Sequence, residues 1–413
     1  MMAVDDLVRE LKADLERYAA FGDMMSGGAG DLAAADWIAE RMAGMGYAVA
    51  RQAFDIPCFE PAECTLTAGG FTATLHAQPP VTSTSPAGLA APLAVVRSPH
   101  DAGDARGRIA LIVLPHGRHA SMQSPAIRPL VQAAAKAGAV ALVIVPVGPT
   151  GRIMGLNCNL EEPVAPLPVG ILAPAELEPF LAAARSASPA TLVLHGRGAM
   201  RPTCNVHGVL DRGPRWVALS TPRTGWFGCV SERGTGTAAF LALAEWVTGR
   251  FPAHSVFFMN SGAHEYHFAG AHRAMRFAPP PGDTDVWVHL GASLATRGHI
   301  EFRGLQRMLG SADSNRILMT SDRFRDAASE AFAGLSGLEC PAPVLGGVSE
   351  LATILSRGYE GFAVLGMPRA FHTREDTLDT VDAGLLAPVV RAHMALMEAV
   401  VTSPRQAWSE ANP

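Results

Sequence analysis

The chain predicts an α/β fold with a mixed, mostly parallel sheet flanked by helices, and three observations carry that prediction. Short apolar runs of strand length, RWVALS (215–220), HSVFFMN (254–260), DVWVHL (285–290) and GFAVLGM (361–367), recur through the second half. A helix-length segment, GTGTAAFLALAEWVTG (234–249), separates the first two and is entered by small residues and closed by glycine. The first half repeats the alternation with GRIALIVLP (107–115), IRPLVQAAAKAGA (127–139) and VALVIVPV (140–147). Strands alternating with helices cover both faces of a parallel sheet, and the functional crevice then lies beyond the carboxyl ends of the strands.

The remaining elements follow in order. Val4, Leu7, Val8, Leu11, Leu15 and Tyr18 recur at helical spacing, and a second helix runs from about Asp31 to Met45 before Gly46 stops it. YAVARQAFDI (47–56) alternates like a strand, and the Pro-, Gly-, Ser- and Thr-rich stretch 78–92 reads as surface loop. PVGILAPAELEPFLAAA (168–184) supplies a strand and a helix, and a long helix closes the chain from about Asp382 to Val401.

Composition bounds the function. At 413 residues, the chain is long enough for two or three domains, and 48% hydrophobic against 17% charged residues describes a compact globular protein rather than a disordered one. A net charge of −5 offers no basic surface to a phosphate backbone, so nucleic acid is not an expected partner. The opening residues lack the pattern of a secretory signal, and no uninterrupted apolar run reaches the roughly 18–20 residues needed to cross a bilayer. The expectation is a cytoplasmic protein without a membrane partner. Six cysteines without CxxC spacing read as buried free thiols.

The crevice rule gives a short list of site candidates. Thr221, Arg223, Trp226, Cys229 and Glu232 follow the first strand, His264, Glu265 and His267 the second, and His289 ends the third. Ser349 and Glu350 lie in the next region, and His372 comes after the last strand. Imidazoles and carboxylates gathered on one face cost desolvation energy unless paired, protonated or bound to a cation, so their accumulation points to catalysis or metal. His116 and His119 have no partner cluster and read as a solvated loop.

The segment 61–200 resembles the protease-associated domain, through its GRIALIVLP strand and its AAAKAGAVALVIV helix–strand. That resemblance divides the chain into an N-terminal part of a peptidase-like domain (1–60), the insertion (61–200) and the main part (201–413), and implies that the insertion caps or narrows access to a site. The order of elements, with ERGTG (232–236), HEYHFAG (264–270) and HTREDT (372–377), resembles the zinc aminopeptidase family that also contains glutaminyl cyclase and the inactive transferrin receptor. The family's His-x-Asp place is held here by STPR (220–223), its strand-end Asp by Gly291, and its first glutamate, the general base, by His264. The resemblance implies that a two-zinc centre cannot assemble and that Glu232, Glu265 and His372 are the surviving ligand set for one zinc, with His289 as a fourth ligand or a substrate-orienting group.

Two kinds of chemistry remain open. A single zinc would polarise a carbonyl while His264 exchanges a proton. Without metal, His264, Glu265, His289 and Glu350 form an acid/base cluster with Glu232 nearby, Arg223 stabilises an oxyanion or holds a substrate carboxylate, and Cys229 is an alternative nucleophile. Trp226 and Phe227 line the substrate pocket or pack in the core. The expected function is a divergent aminopeptidase-like hydrolase acting on an amide, peptide or related C–N bond of a small molecule or short peptide, with at most one metal ion. The alternatives are a non-catalytic descendant used for binding or assembly, and a metal-free lyase or cyclase. A homodimer is the default assembly.

Overall fold

Four parallel strands form the centre of the main sheet, in the spatial order Gly361–Gly366, Thr284–Leu290, Arg215–Pro222 and His254–Ser261. The computed structural model describes residues 4–302, 305–344 and 349–402. Each central strand is buried along nearly its whole length, as coverage on both faces requires, which is why these segments read as continuous apolar runs. The helix Thr235–Arg250 is buried from Thr235 to Ala244. It shares one core with the N-terminal helices Val4–Ala19 and Ala29–Gly44 and the closing helix Ala383–Thr402. Leu7, Leu11, Leu15 and Tyr18 place the inward stripe of the first helix at the spacing that brings residues three and four apart onto one face. Ala383–Thr402 is long and apolar enough to cross a membrane by length and composition, and it buries Leu386, Val389, Val390, Leu396 and Met397 in this core.

Two 21-residue strands, Ala48–Ala68 and Ala190–Leu210, pair antiparallel from Ala48↔Val209 to Ala68↔Ala190, with one register shift between Pro61 and Glu63. This ribbon runs from the main sheet into a smaller one, which continues through Phe71–Ala77, Val169–Leu172, Ala141–Val145, Ile109–Val113 and Leu93–Val96. Successive residues of Ile109–Val113 face opposite sides, Leu111 entering one apolar cluster with Phe180 and Leu192, and Ile112 another with Leu130 and Val131. Residues 61 and 200 both lie inside the paired strands, so a continuous ribbon rather than a loop joins the two lobes. The stretch 78–92 holds only the two-residue strand Leu89–Ala90, which pairs with Ala190–Leu210. The spacing did not predict the antiparallel strand Arg316–Thr320, flanked at the sheet's edge by the two-residue strand Ala342–Pro343, or the hairpin Arg297–Phe302 and Leu305–Ala312.

Candidate active site

The carboxyl ends of the parallel strands open on a cavity of about 450 Å³. Glu232, Arg233, His264, His289 and His372 form its polar side, and Phe268, Leu365, Met367 and Phe371 its apolar walls. The smaller lobe supplies Ser121, Gln123, Ser124 and Asn157 to the same lining. Ser121 Oγ lies 2.8 Å from His267 Nε2, and the Trp226 indole N–H donates to Asn157 Oδ1 at 2.8 Å, so hydrogen bonds pin this lobe over the strand ends.

Two histidines enter the cavity with their ring protons fixed in opposite senses. His264 Nδ1 lies 2.8 Å from Glu350 Oε1, and Ser261 Oγ donates to both oxygens of that carboxylate at 2.9 and 3.0 Å. The carboxylate requires a donor, so Nδ1 carries the proton and Nε2 keeps a free lone pair. His289 sits across the sheet from Ser220, which its strand register places directly opposite. The Trp287 indole N–H donates to Ser220 Oγ at 2.7 Å, and Ser220 Oγ lies 2.8 Å from His289 Nδ1. The indole occupies one lone pair of Ser220 Oγ, and the hydroxyl proton meets no other acceptor among the described residues, so it turns to Nδ1 and His289 carries its own proton on Nε2 at the cavity side. Burial lowers His289 to about 4, and burial with the nearby Arg233 charge holds His264 well below its ordinary range, so both rings are neutral near pH 7. Burial raises the Glu350 carboxyl, opposed by His289 and by the Ser261 hydroxyl.

A second group is built by the turn before the Thr235–Arg250 helix. Residues Val230–Gly234 form a single π turn, a wide turn frequent at functional sites, entered by Cys229 in the left-handed region at φ 36°. The Asp376 carboxylate accepts from the backbone N–H of Ser231 at 2.6 Å and of Glu232 at 3.1 Å, which fixes the turn. Glu232 Oε1 then lies 2.6 Å from Arg233 Nη2 and 3.1 Å from His372 Nε2, while Oε2 is buried without a partner among the described residues. The Arg233 guanidinium leads the groups that pull the Glu232 carboxyl down, against its burial, to about 2. His372 Nδ1 faces the Gly155 carbonyl at 2.8 Å, so oxygen atoms lie against both of its ring nitrogens. Gly155 is required there, since a Cβ would fall 2.4 Å from the Trp226 ring.

Several expectations are corrected. Glu265 does not face this cavity. Its Oε2 accepts from Ser26 Oγ at 2.6 Å and Thr224 Oγ1 at 3.0 Å, and the residue borders a separate cavity of about 300 Å³ together with Trp226. The turn through Ala263, at φ 53°, sends the adjacent side chains of His264 and Glu265 to different cavities. Arg223 contacts neither cavity; it is fully buried and ion-paired through Nε to Asp31 Oδ1 at 2.8 Å, with further bonds to Asn260. Phe227 is buried against His76, with the Arg374 guanidinium over its ring. Cys229 is fully buried beside Tyr18, and burial pushes its thiol far up, which removes it as a nucleophile. His116 is exposed as the solvated-loop reading expects, whereas His119 is buried, its Nε2 against the Pro115 carbonyl.

As arranged, Glu232, Glu265 and His372 do not fit a zinc ion. Glu232 and His372 touch each other, Glu265 is turned to other partners, and the Arg233 guanidinium sits against the carboxylate where a cation would bind. Among the described residues, no group of three or more His, Cys, Asp or Glu side chains is placed to hold a metal. Arg233 is the residue that sequence reasoning overlooked. Its signal in the sequence is its place inside ERGTG, next to the carboxylate of Glu232.

The fold is that of the zinc aminopeptidases. The chain superposes on a zinc aminopeptidase from Bacillus subtilis over 96% of each chain, with a TM-score of 0.71 and 20% identity. It is similar over 97% of its length, and 96% of the other, to a Peptidase M28 precursor from Shewanella amazonensis SB2B, with a TM-score of 0.75 and 16% identity. An aminopeptidase from Aneurinibacillus sp. strain AM-1 gives a TM-score of 0.68 at 18% identity, over 96% of each chain. Compared by sequence, the chain matches no family model and no curated protein.

Proposed function

We propose that the protein hydrolyses an amide or peptide C–N bond of a small substrate held in the 450 Å³ cavity, with His264 as general base and His289 as hydrogen-bond donor to the carbonyl oxygen. The observation that carries this reading is the opposed protonation of the two rings: one offers a lone pair and the other an N–H to the same space. His264 Nε2 takes a proton from water as the water oxygen attacks the carbonyl carbon. The oxygen of the tetrahedral adduct gains negative charge and receives the His289 Nε2–H. His264 passes its proton to the leaving nitrogen, the C–N bond breaks, and a carboxylic acid and an amine are released. Glu350 stabilises the transient imidazolium of His264. The fold agrees with this reading, since the similar structures include proteins named as aminopeptidases and as a peptidase. No step here runs through a metal ion.

The test is incubation with a panel of N-acyl amino acids, simple amides and dipeptides, with release of free amine as the readout. Release that is lost in His264→Ala supports the reading. Release unchanged in that variant, or no release from any member of the panel, overturns it and favours the non-catalytic alternative.

A further inference from the structure

The Arg233 guanidinium is 2% exposed and borders the cavity, with its Nε donating to the Thr224 carbonyl at 3.0 Å and its Nη2 paired with Glu232. Among the described residues, Nη1 has no hydrogen-bond partner. A guanidinium is always charged, and a buried one retains unmet donor capacity until an acceptor arrives. Glu232 is the one carboxylate among the described residues lining the cavity, and its Oε1 already lies between Arg233 and His372. An ammonium ion entering here would meet the Arg233 charge beside a carboxylate whose Oε1 is already shared and whose Oε2 alone is unpartnered. An anion would find a free N–H pair on a guanidinium whose counter-ion is shared.

We propose that Arg233 makes this cavity a carboxylate-binding site, so that the substrate is a small amide carrying a free carboxylate, such as an N-acyl amino acid, with its apolar body against Phe268, Leu365, Met367 and Phe371. Arg233 recognises the carboxylate with Nη1 and orients the amide towards His264 and His289. The inference rests on the hydrolase reading for the fate of the amide, whereas the selectivity for an anion rests on Arg233 itself. It departs from what the word aminopeptidase implies, because a free α-amino group would meet the Arg233 charge at the one carboxylate of the lining, which already serves as the counter-ion of that guanidinium.

The test is calorimetric titration of the full chain with three probes of one shape: 3-phenylpropionate, 3-phenylpropanol and 3-phenylpropylamine. The acid is expected to bind about tenfold more tightly than the alcohol, the usual scale of a charge-assisted hydrogen bond, and the amine most weakly. Arg233→Gln is expected to abolish the preference and Arg233→Lys to keep part of it. Should Arg233→Gln fail to fold, the double variant Glu232→Gln/Arg233→Gln removes both charges together and must show the same loss. Equal binding of acid and alcohol by the wild-type protein, or tightest binding of the amine, overturns the proposal, as does a preference that survives in Arg233→Gln. None of the probes has a scissile bond. A preference for acid without amine release from the substrate panel removes the hydrolase reading alone, and release without that preference removes the carboxylate site alone.

Discussion

His264 and Glu350, 86 positions apart, meet at 2.8 Å because the turn after His254–Ser261 and the first residue of the helix Glu350–Leu355 reach the same sheet edge. Ser261, the last residue of that strand, donates to both oxygens of the same carboxylate. The pair is buried, so the carboxylate has no competing water to satisfy it and the imidazole cannot readily reverse its tautomer.

Replacing His264 by alanine is expected to lower kcat/KM by about 10²–10⁴, the range of general acid–base catalysis. Glu350→Gln, which keeps the volume but removes the charge that stabilises the imidazolium, is expected to lower kcat while leaving KM within about twofold. Steady-state kinetics on any amide that emerges from the substrate panel checks both, and an unchanged kcat in Glu350→Gln contradicts the role given to the pair.

Glu265 makes a prediction about stability and pH. Burial pushes its carboxyl up to about 7 from 4.5, against the hydroxyls of Ser26 and Thr224. Between those values the folded protein holds a proton that the unfolded chain has released. The group's stabilising contribution is therefore full below the lower value and is lost as pH rises through the upper one. The stability of Glu265→Gln relative to wild type is expected to rise with pH across that window, by about 1.4 kcal/mol per unit. Urea unfolding of both proteins at several pH values gives the difference directly, and a difference that is flat or falls with pH contradicts the assignment.

Arg223 and Asp31 form a fully buried ion pair that ties the Ala29–Gly44 helix to the end of the Arg215–Pro222 strand. Removing either partner leaves a buried charge uncompensated, so Arg223→Met or Asp31→Asn is expected to cost about 3–5 kcal/mol in urea unfolding. The double variant Asp31→Leu/Arg223→Met is expected to recover most of that loss. A single variant as stable as wild type removes the structural role.

Gly155 turns its carbonyl to His372 Nδ1 in a place with no room for a side chain. Gly155→Ala is expected to destabilise by about 1–3 kcal/mol through overpacking against Trp226 and to lower kcat/KM by displacing His372. Thermal unfolding together with kinetics checks it, and wild-type values in both contradict the packing account.

The central strands were legible because a strand covered on both faces must be apolar throughout, as HSVFFMN and DVWVHL are. The ribbon of Ala48–Ala68 and Ala190–Leu210 was only partly legible: Pro57, Pro61 and Pro202 interrupt its pattern, and backbone pairing between distant segments leaves no local signature. His264, His289 and His372 lie where strand ends suggest, lining one cavity, but sequence order cannot tell which way neighbours in a tight turn point. His264 and Glu265 illustrate this, since one enters the cavity and the other leaves it. Arg223 follows a strand end as a substrate-holding group would, and its true partner Asp31, 192 positions away, leaves no local signal.

The opposed tautomers of His264 and His289 are most directly measured by nitrogen NMR of protein labelled with ¹⁵N-histidine, at pH 7. The account predicts a neutral His264 protonated at Nδ1 and a neutral His289 protonated at Nε2. A His264 ring protonated at Nε2, or a His289 ring protonated at Nδ1, contradicts it.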